Sequence, residues 1–175
     1  MSDTFPPAPP LQVSRWFNTP APITLDDLRG RVVALHAFQM LCPGCVSHGL
    51  PQARRMAQIF DAHEFSIVGL HTVFEHHDVM TERALHVFIQ EYRLRFPIGV
   101  DQASPNGSVP LTMRALGLRG TPSLVLLDKR GRVRFSHLGE IDDMALGGIV
   151  GRLLGEPGPA PDETADGLSR AAATP

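Results

Sequence analysis

Apolar residues along the middle of the chain fall alternately into short runs and helical stripes. RVVALHAF (31–38) is a run of strand length and FSIVGLHTV (65–73) is a second. Between them the pattern predicts a helix over roughly 43–60. Thr81 stands where an N-cap belongs, ahead of Leu85, Phe88, Ile89 and Tyr92 at i, i+3, i+4 and i+7. FPIGVD (96–101) is a short extended piece, followed by a short helix. SLVLLD (123–128), the turn residues Lys129-Arg130-Gly131 and VRFSHL (133–138) read as an antiparallel hairpin. Asp142 can cap a last helix that carries Leu146, Ile149, Val150, Leu153 and Leu154 on one face. Strands alternating with helices and closing with a hairpin predict an α/β sandwich around a mixed sheet.

Proline marks the limits of this pattern, since ten of the sixteen prolines lie outside 23–154. Residues 1–22 read as an extended Pro-rich arm, with Trp16 and Phe17 able to anchor it. Residues 23–154 read as one domain. Residues 155–175 hold a single large apolar residue, Leu168, too little burial to offset their ordering entropy, so a disordered tail is expected.

Composition narrows the functional classes. Hydrophobic residues make up 43% of the 175, enough for a packed core, and the formal net charge is −2. Arg54–Arg55 and Lys129–Arg130 are isolated basic pairs and read as solvated surface, so no nucleic-acid partner is expected. No apolar run reaches the ~18–20 residues of a membrane span. The start MSDTFPPAPP lacks a basic region followed by an apolar stretch. The expectation is a cytoplasmic protein with no membrane partner.

Both cysteines stand in one short stretch, MLCPGCVS (40–47). Cys42 follows an apolar strand and precedes a helix. Pro43 suits the first helical position, where its missing N–H costs nothing. The Cys42 sulfur then lies among the unpaired N–H groups at the positive end of the helix dipole. Such settings lower a thiol pKa from about 8.5 into a range of about 3.5–7.5. Cys45 lies one turn further in. The expected roles are attack by Cys42 and resolution by Cys45. A structural zinc site needs four N/S ligands, and the eight histidines show no H-x₃₋₅-H pair beside a second ligand cluster. Haem attachment needs a His after the second cysteine, where Val46 stands. No metal or other cofactor is expected; two inert core thiols remain the plain alternative.

Residues 24–154 resemble the thioredoxin-fold proteins, most closely the TlpA/ResA-type thiol–disulfide oxidoreductases of the redoxin and peroxiredoxin-like superfamily. The resemblance is carried by RVVALHAFQMLCPGC, FSIVGLHTVFE, FPIGVD and ALGLRGTPSLVLLDKRGRV. It implies a three-layer α/β/α sandwich with a central mixed sheet, ending in a β-hairpin and helix. It implies that Pro122 of Gly120-Thr121-Pro122 is a cis-proline facing the cysteine pair, and that Thr121 pairs its backbone with a substrate beside Pro43. His36 occupies the position of a buried acid in thioredoxins proper, and Glu75 lies near the acidic residue of ResA-like members; each is a candidate for proton transfer. The chain also departs from the family. Met40 and Leu41 stand where aromatic residues are usual, and Pro51 follows Cys45 by six residues rather than five, which implies an extra residue or a kink in the helix.

Three functions compete at this level. One is a thiol–disulfide oxidoreductase, acting on protein or small-molecule disulfides and supplied by an external thiol or protein electron donor. A second is a peroxiredoxin-like peroxidase with antioxidant activity, but its P-x-x-x-T-x-x-C pattern is missing, because Gln39 stands where the Thr belongs. A third is a non-enzymatic partner-binding domain, for which extended proline segments would serve as recognition sites.

Overall fold

The structure, a computed structural model, describes residues 5–159. In chain order it contains β1 (Val13–Phe17), a 3₁₀ turn (Asp26–Leu28), β2 (Val32–Phe38), a π-helical turn (Cys45–Gly49) leading into α1 (Leu50–Ile59), and β3 (Phe65–His71). Then follow α2 (Glu82–Glu91), β4 (Ile98–Asp101), α3 (Leu111–Ala115), β5 (Ser123–Leu127), β6 (Val133–Leu138) and α4 (Asp143–Leu154). The six strands form one sheet in the order β1-β4-β3-β2-β5-β6. β2 runs parallel to β3, and β3 to β4; the other three pairings are antiparallel.

All seven residues of β2 are buried, as a central strand covered on both faces requires. Side chains alternate between the faces of a strand. Val32, Ala34 and Phe38 join the larger core with Leu50, Leu85, Leu146 and Val150, which come from α1, α2 and α4. Val33 and Leu35 join a smaller core with Leu28, Val125 and Leu127, closed by Trp16, Leu25, Leu116 and Leu118. This is a three-layer α/β/α sandwich on a mixed sheet, ending in the β5–β6 hairpin and α4. Full burial of side chains such as Phe38 or Leu50 contributes about 1.5–3 kcal/mol each.

The helix caps form where the sequence places them. The Thr81 side chain accepts from Ala84 N–H, and Asp142 accepts from Met144 and Ala145 N–H. The arm differs from its expectation. Residues 13–17 form an edge strand on β4, and consecutive residues on a strand point to opposite faces, so Trp16 enters the smaller core while Phe17 packs on the larger. The tail departs too. Glu156 pairs through two bonds with Arg134, which also donates to buried Asp128. Residues 155–159 are thus held against the β5–β6 hairpin; the rest of the expected tail, 160–175 with Leu168, lies outside the described residues. Lys129, read as solvated surface, instead donates to the Leu154 carbonyl at the end of α4.

Candidate active site

β2 delivers the chain to the cysteines. Beyond Phe38 the backbone turns so that Cys42 N–H donates to Gln39 C=O at 3.2 Å, and the helix starts at Pro43. Val46 N–H closes the first helical turn on Cys42 C=O at 3.1 Å. Cys42 is half-buried, Pro43 exposed beside it, and Cys45 has no exposed surface. The backbone N–H of Cys45 donates to the Cys42 sulfur at 3.4 Å. The Cys42 thiol in turn donates to the Thr121 carbonyl at 3.3 Å. Burial, with a further contribution from hydrogen bonding to Cys42, pushes the Cys45 thiol up to about 12. One sulfur is reachable and faces a backbone donor; the other is enclosed and protonated.

The extra residue between Cys45 and Pro51 is absorbed by the π-helical turn, in which Leu50 N–H reaches back five residues to Cys45 C=O. Pro51 has no N–H to give, so the wide turn spans the point where an α-helical ladder would already be broken. The turn also brings Gly49 against the sheet. A Cβ there would lie 2.7 Å from His36 Cε1 and 3.0 Å from Pro122 Cβ, so the absence of a side chain is what lets helix, imidazole and proline meet.

The Thr121–Pro122 bond is cis, and Pro122 packs close to Gly44 as well as Gly49. Pro122 and Thr121 therefore face the cysteine pair. His36 is 3% exposed, and its Nε2 has no hydrogen-bond partner among the described residues. Burial pushes its pKa down to about 4, so the ring is neutral at ordinary pH. It forms part of the lining of a cleft of about 340 Å³, with Ser47, His48, Pro122 and Glu140. Glu75, by contrast, is exposed; among the described residues its hydrogen bond toward the site is the one from Gln39.

Gln39 entered the motif reading only as the replacement for a peroxidase Thr, and its place in the site was missed. It is 1% exposed, donates through Nε2 to Glu75 Oε1 (3.4 Å) and Thr121 Oγ1 (3.5 Å), and accepts the Phe74 N–H on Oε1 at 3.3 Å. A polar residue directly after a predominantly apolar strand and three before Cys42 was the available signal. Met40 and Leu41 separate: Met40 is buried, and Leu41 is 54% exposed beside Cys42. Among the described residues no group of three or more His, Cys, Asp or Glu is placed to hold a metal ion. No helix among them is long and apolar enough to cross a membrane.

Comparison with known proteins agrees with this arrangement. A thioredoxin-like superfamily protein of known structure is 50% identical, superimposes with a TM-score of 0.86, and is matched over 87% of this chain and 99% of its own. A thiol-disulfide isomerase from Corynebacterium glutamicum is 46% identical with a TM-score of 0.85, over 89% of this chain and all of its own. NHL repeat-containing protein 2 of Gallus gallus is 30% identical over 129 residues, 72% of this chain but 16% of the relative; this chain thus spans about a sixth of the curated relatives it matches. The Redoxin family model matches residues 6–146, from ahead of the edge strand into α4. A cysteine pair at the start of a helix, a cis-proline facing it and a match across all six strands together make this thioredoxin-fold chain a member of the redoxin family.

Proposed function

We propose that the protein is a thiol–disulfide oxidoreductase in which Cys42 attacks and Cys45 resolves. The observation that carries this is the asymmetry of the pair: the half-buried Cys42 sulfur receives the Cys45 N–H, while the Cys45 sulfur is wholly enclosed. Charge that develops on Cys42 meets a backbone donor already aimed at it.

The Cys42 thiolate attacks one sulfur of a substrate disulfide. That S–S bond breaks, the first substrate thiolate leaves and takes a proton from solvent, and a mixed disulfide forms on Cys42. Cys45 then loses its proton and attacks the Cys42 sulfur. The second substrate thiol leaves, and a Cys42–Cys45 disulfide remains. The dithiol has supplied two electrons, which an external thiol or protein donor returns. The substrate is a protein or small-molecule disulfide, with exposed Leu41 and Pro43 and the Thr121 backbone as its contact surface. The relative from Corynebacterium glutamicum, a thiol-disulfide isomerase, supports the same chemistry class here.

The test pairs insulin-disulfide reduction by dithiothreitol with peroxide consumption, for the wild type and Cys42→Ser. Catalysed insulin reduction that disappears in Cys42→Ser is expected. Turnover of peroxide alone selects a peroxidase, and turnover of neither selects a partner-binding domain.

A further inference from the structure

We propose that the cleft beside Pro122 is a specificity subsite that takes the cationic side chain, lysine or arginine, of a polypeptide substrate next to its disulfide. The inference rests on the oxidoreductase reading and adds to it the class of substrate.

The cleft holds about 340 Å³ and lies between the start of α1 and the connection from β6 to α4. One end of it abuts the reactive pair. Pro122 lines that end, and the carbonyl of the preceding Thr121 lies 3.3 Å from the Cys42 sulfur. His36 and Gly49 meet Pro122 there: a Cβ on Gly49 would stand 3.0 Å from both His36 Nε2 and Pro122 Cβ. His36 is almost completely enclosed, and its Nε2 has no partner among the described residues. A neutral imidazole offers one nitrogen as acceptor. This wall can therefore receive an incoming N–H without repelling its charge.

The outer wall carries carboxylates, and their partners decide how much of that charge remains. Asp143 is bound by Arg55 at 2.9 Å and by Gln52 at 2.7 Å, so it and the guanidinium offset one another. Asp142 takes two N–H bonds, from Met144 and Ala145, both on Oδ1, which leaves Oδ2 for a further donor. Glu140 Oε2 lies 3.4 Å from Nε2 of His48, the other titratable ring on the cleft, whose Nδ1 is held by Ser47. With the imidazoles neutral, the lining keeps the carboxylates of Glu140 and Asp142 beyond the Arg55–Asp143 pair. A cation suits that balance and an anion does not. Pro122 and Ile141 give apolar surface for the methylene stem of a long basic side chain. A basic residue one or two positions from the substrate cysteine enters the cleft while its disulfide lies against Cys42. The exchange itself is unchanged: the Cys42–Cys45 dithiol gives two electrons and two protons to the substrate disulfide, and the cleft holds the substrate without moving a proton.

Single-turnover oxidation of the reduced protein by disulfide-linked peptide dimers tests this at pH 8, where imidazole carries no charge. Dimers of Gly-Lys-Cys-Lys-Gly, Gly-Gln-Cys-Gln-Gly and Gly-Glu-Cys-Glu-Gly differ only beside the cysteine. Acid quenching, alkylation and mass spectrometry give a second-order rate constant for each. Dividing by the constant for the same dimer with dithiothreitol removes the intrinsic reactivity of its disulfide. The normalised constant for the lysine dimer is expected to exceed that for the glutamine dimer about ten-fold, and the gap should narrow with salt. The glutamate dimer should be the slowest. Glu140→Gln and Asp142→Asn, the latter keeping a good N-cap, should each lower the lysine-to-glutamine ratio about three-fold. Glu64→Gln makes the same charge change beyond the far end of α1 and should leave the ratio as in the wild type. Because a ratio is read, partial loss of folded protein cannot mimic the effect. A wild-type ratio near one overturns the proposal, as does a ratio that Glu64→Gln lowers as much as the cleft variants do. A preference for cystamine over hydroxyethyl disulfide, without one for the lysine dimer, overturns the polypeptide source. A wild type that reacts no faster than dithiothreitol with every dimer removes the oxidoreductase reading itself, and the proposal with it.

Discussion

The amide of Cys45 faces the sulfur of Cys42 at 3.4 Å, although the two cysteines lie in different solvent environments. The same helical start thus supplies a donor to one sulfur and, by burying the other, withholds solvent from it. From this follows an order of reactivity.

Iodoacetamide is expected to label Cys42 first. With its thiol pushed up to about 12, Cys45 at pH 8 holds roughly one thiolate in ten thousand. Mapping the label by mass spectrometry checks the order. Labelling of Cys45 ahead of Cys42 refutes it. Cys45→Ser should accumulate mixed disulfides at Cys42.

Stability should fall between pH 7 and pH 5. His36 and His71 are buried with Nε2 atoms that have no hydrogen-bond partner among the described residues, and desolvation pushes both pKa values down to about 4 from 6.5. The unfolded chain binds their protons as pH drops through 6.5, whereas the folded protein does not until about 4. The loss therefore accrues across that window and levels off below it. At pH 5 it amounts to about 2 kcal/mol per histidine at most. Urea unfolding of the wild type and His71→Leu at both pH values isolates one of the two contributions. An equal pH dependence in both proteins contradicts the assignment.

Gly49→Ala should destabilise the protein by about 1–3 kcal/mol, through overpacking against His36 and Pro122. The sign is informative, because in an open helix the same change would stabilise by up to about 1 kcal/mol. Combining it with His36→Ala relieves the closer contact, and the pair should cost less than the sum of the two changes. Chemical denaturation of the three variants gives the coupling.

Shortening the chain after Leu154 should cost about 1 kcal/mol, because it removes Glu156 from Arg134. Asp128→Asn should cost more, about 3 kcal/mol. Its carboxylate is nearly enclosed and accepts from Arg130 N–H, Arg132 N–H and Nε, and Arg134. Melting temperatures of both, measured beside a chain ending at Pro159, test whether Glu156 is the residue responsible.

Much of the fold was legible in local patterns. The run Val32–Phe38 declared a central strand because no polar face was spared for solvent, and Thr81 and Asp142 marked helix starts that form through their own side-chain oxygens. Edge strand β1 was not legible. Val13–Phe17 is short and lies in a Pro-rich segment, and what makes it a strand is the free edge of β4, more than eighty residues away. The π-helical turn was legible only as a spacing anomaly at Pro51, since its form depends on what Gly49 packs against.

The sequence by itself determined the order of elements from β2 onward and the two cysteines at a helix start. These rest on periodicity, caps and a two-residue spacing, all of which act over a few neighbours in the chain, whereas the place of Pro122 opposite the cysteines was implied only by the resemblance to the thioredoxin fold. Only the tertiary structure decided which sulfur is enclosed, that His36 is left neutral without a partner among the described residues, and that Gln39 joins Glu75 to Thr121. Residues 39, 75 and 121 belong to three separate segments, and their donors and acceptors are matched only when β2, β3 and β5 pair in register. Burial and hydrogen-bond partnership are properties of the packed sheet, so residues distant in the chain settle them together.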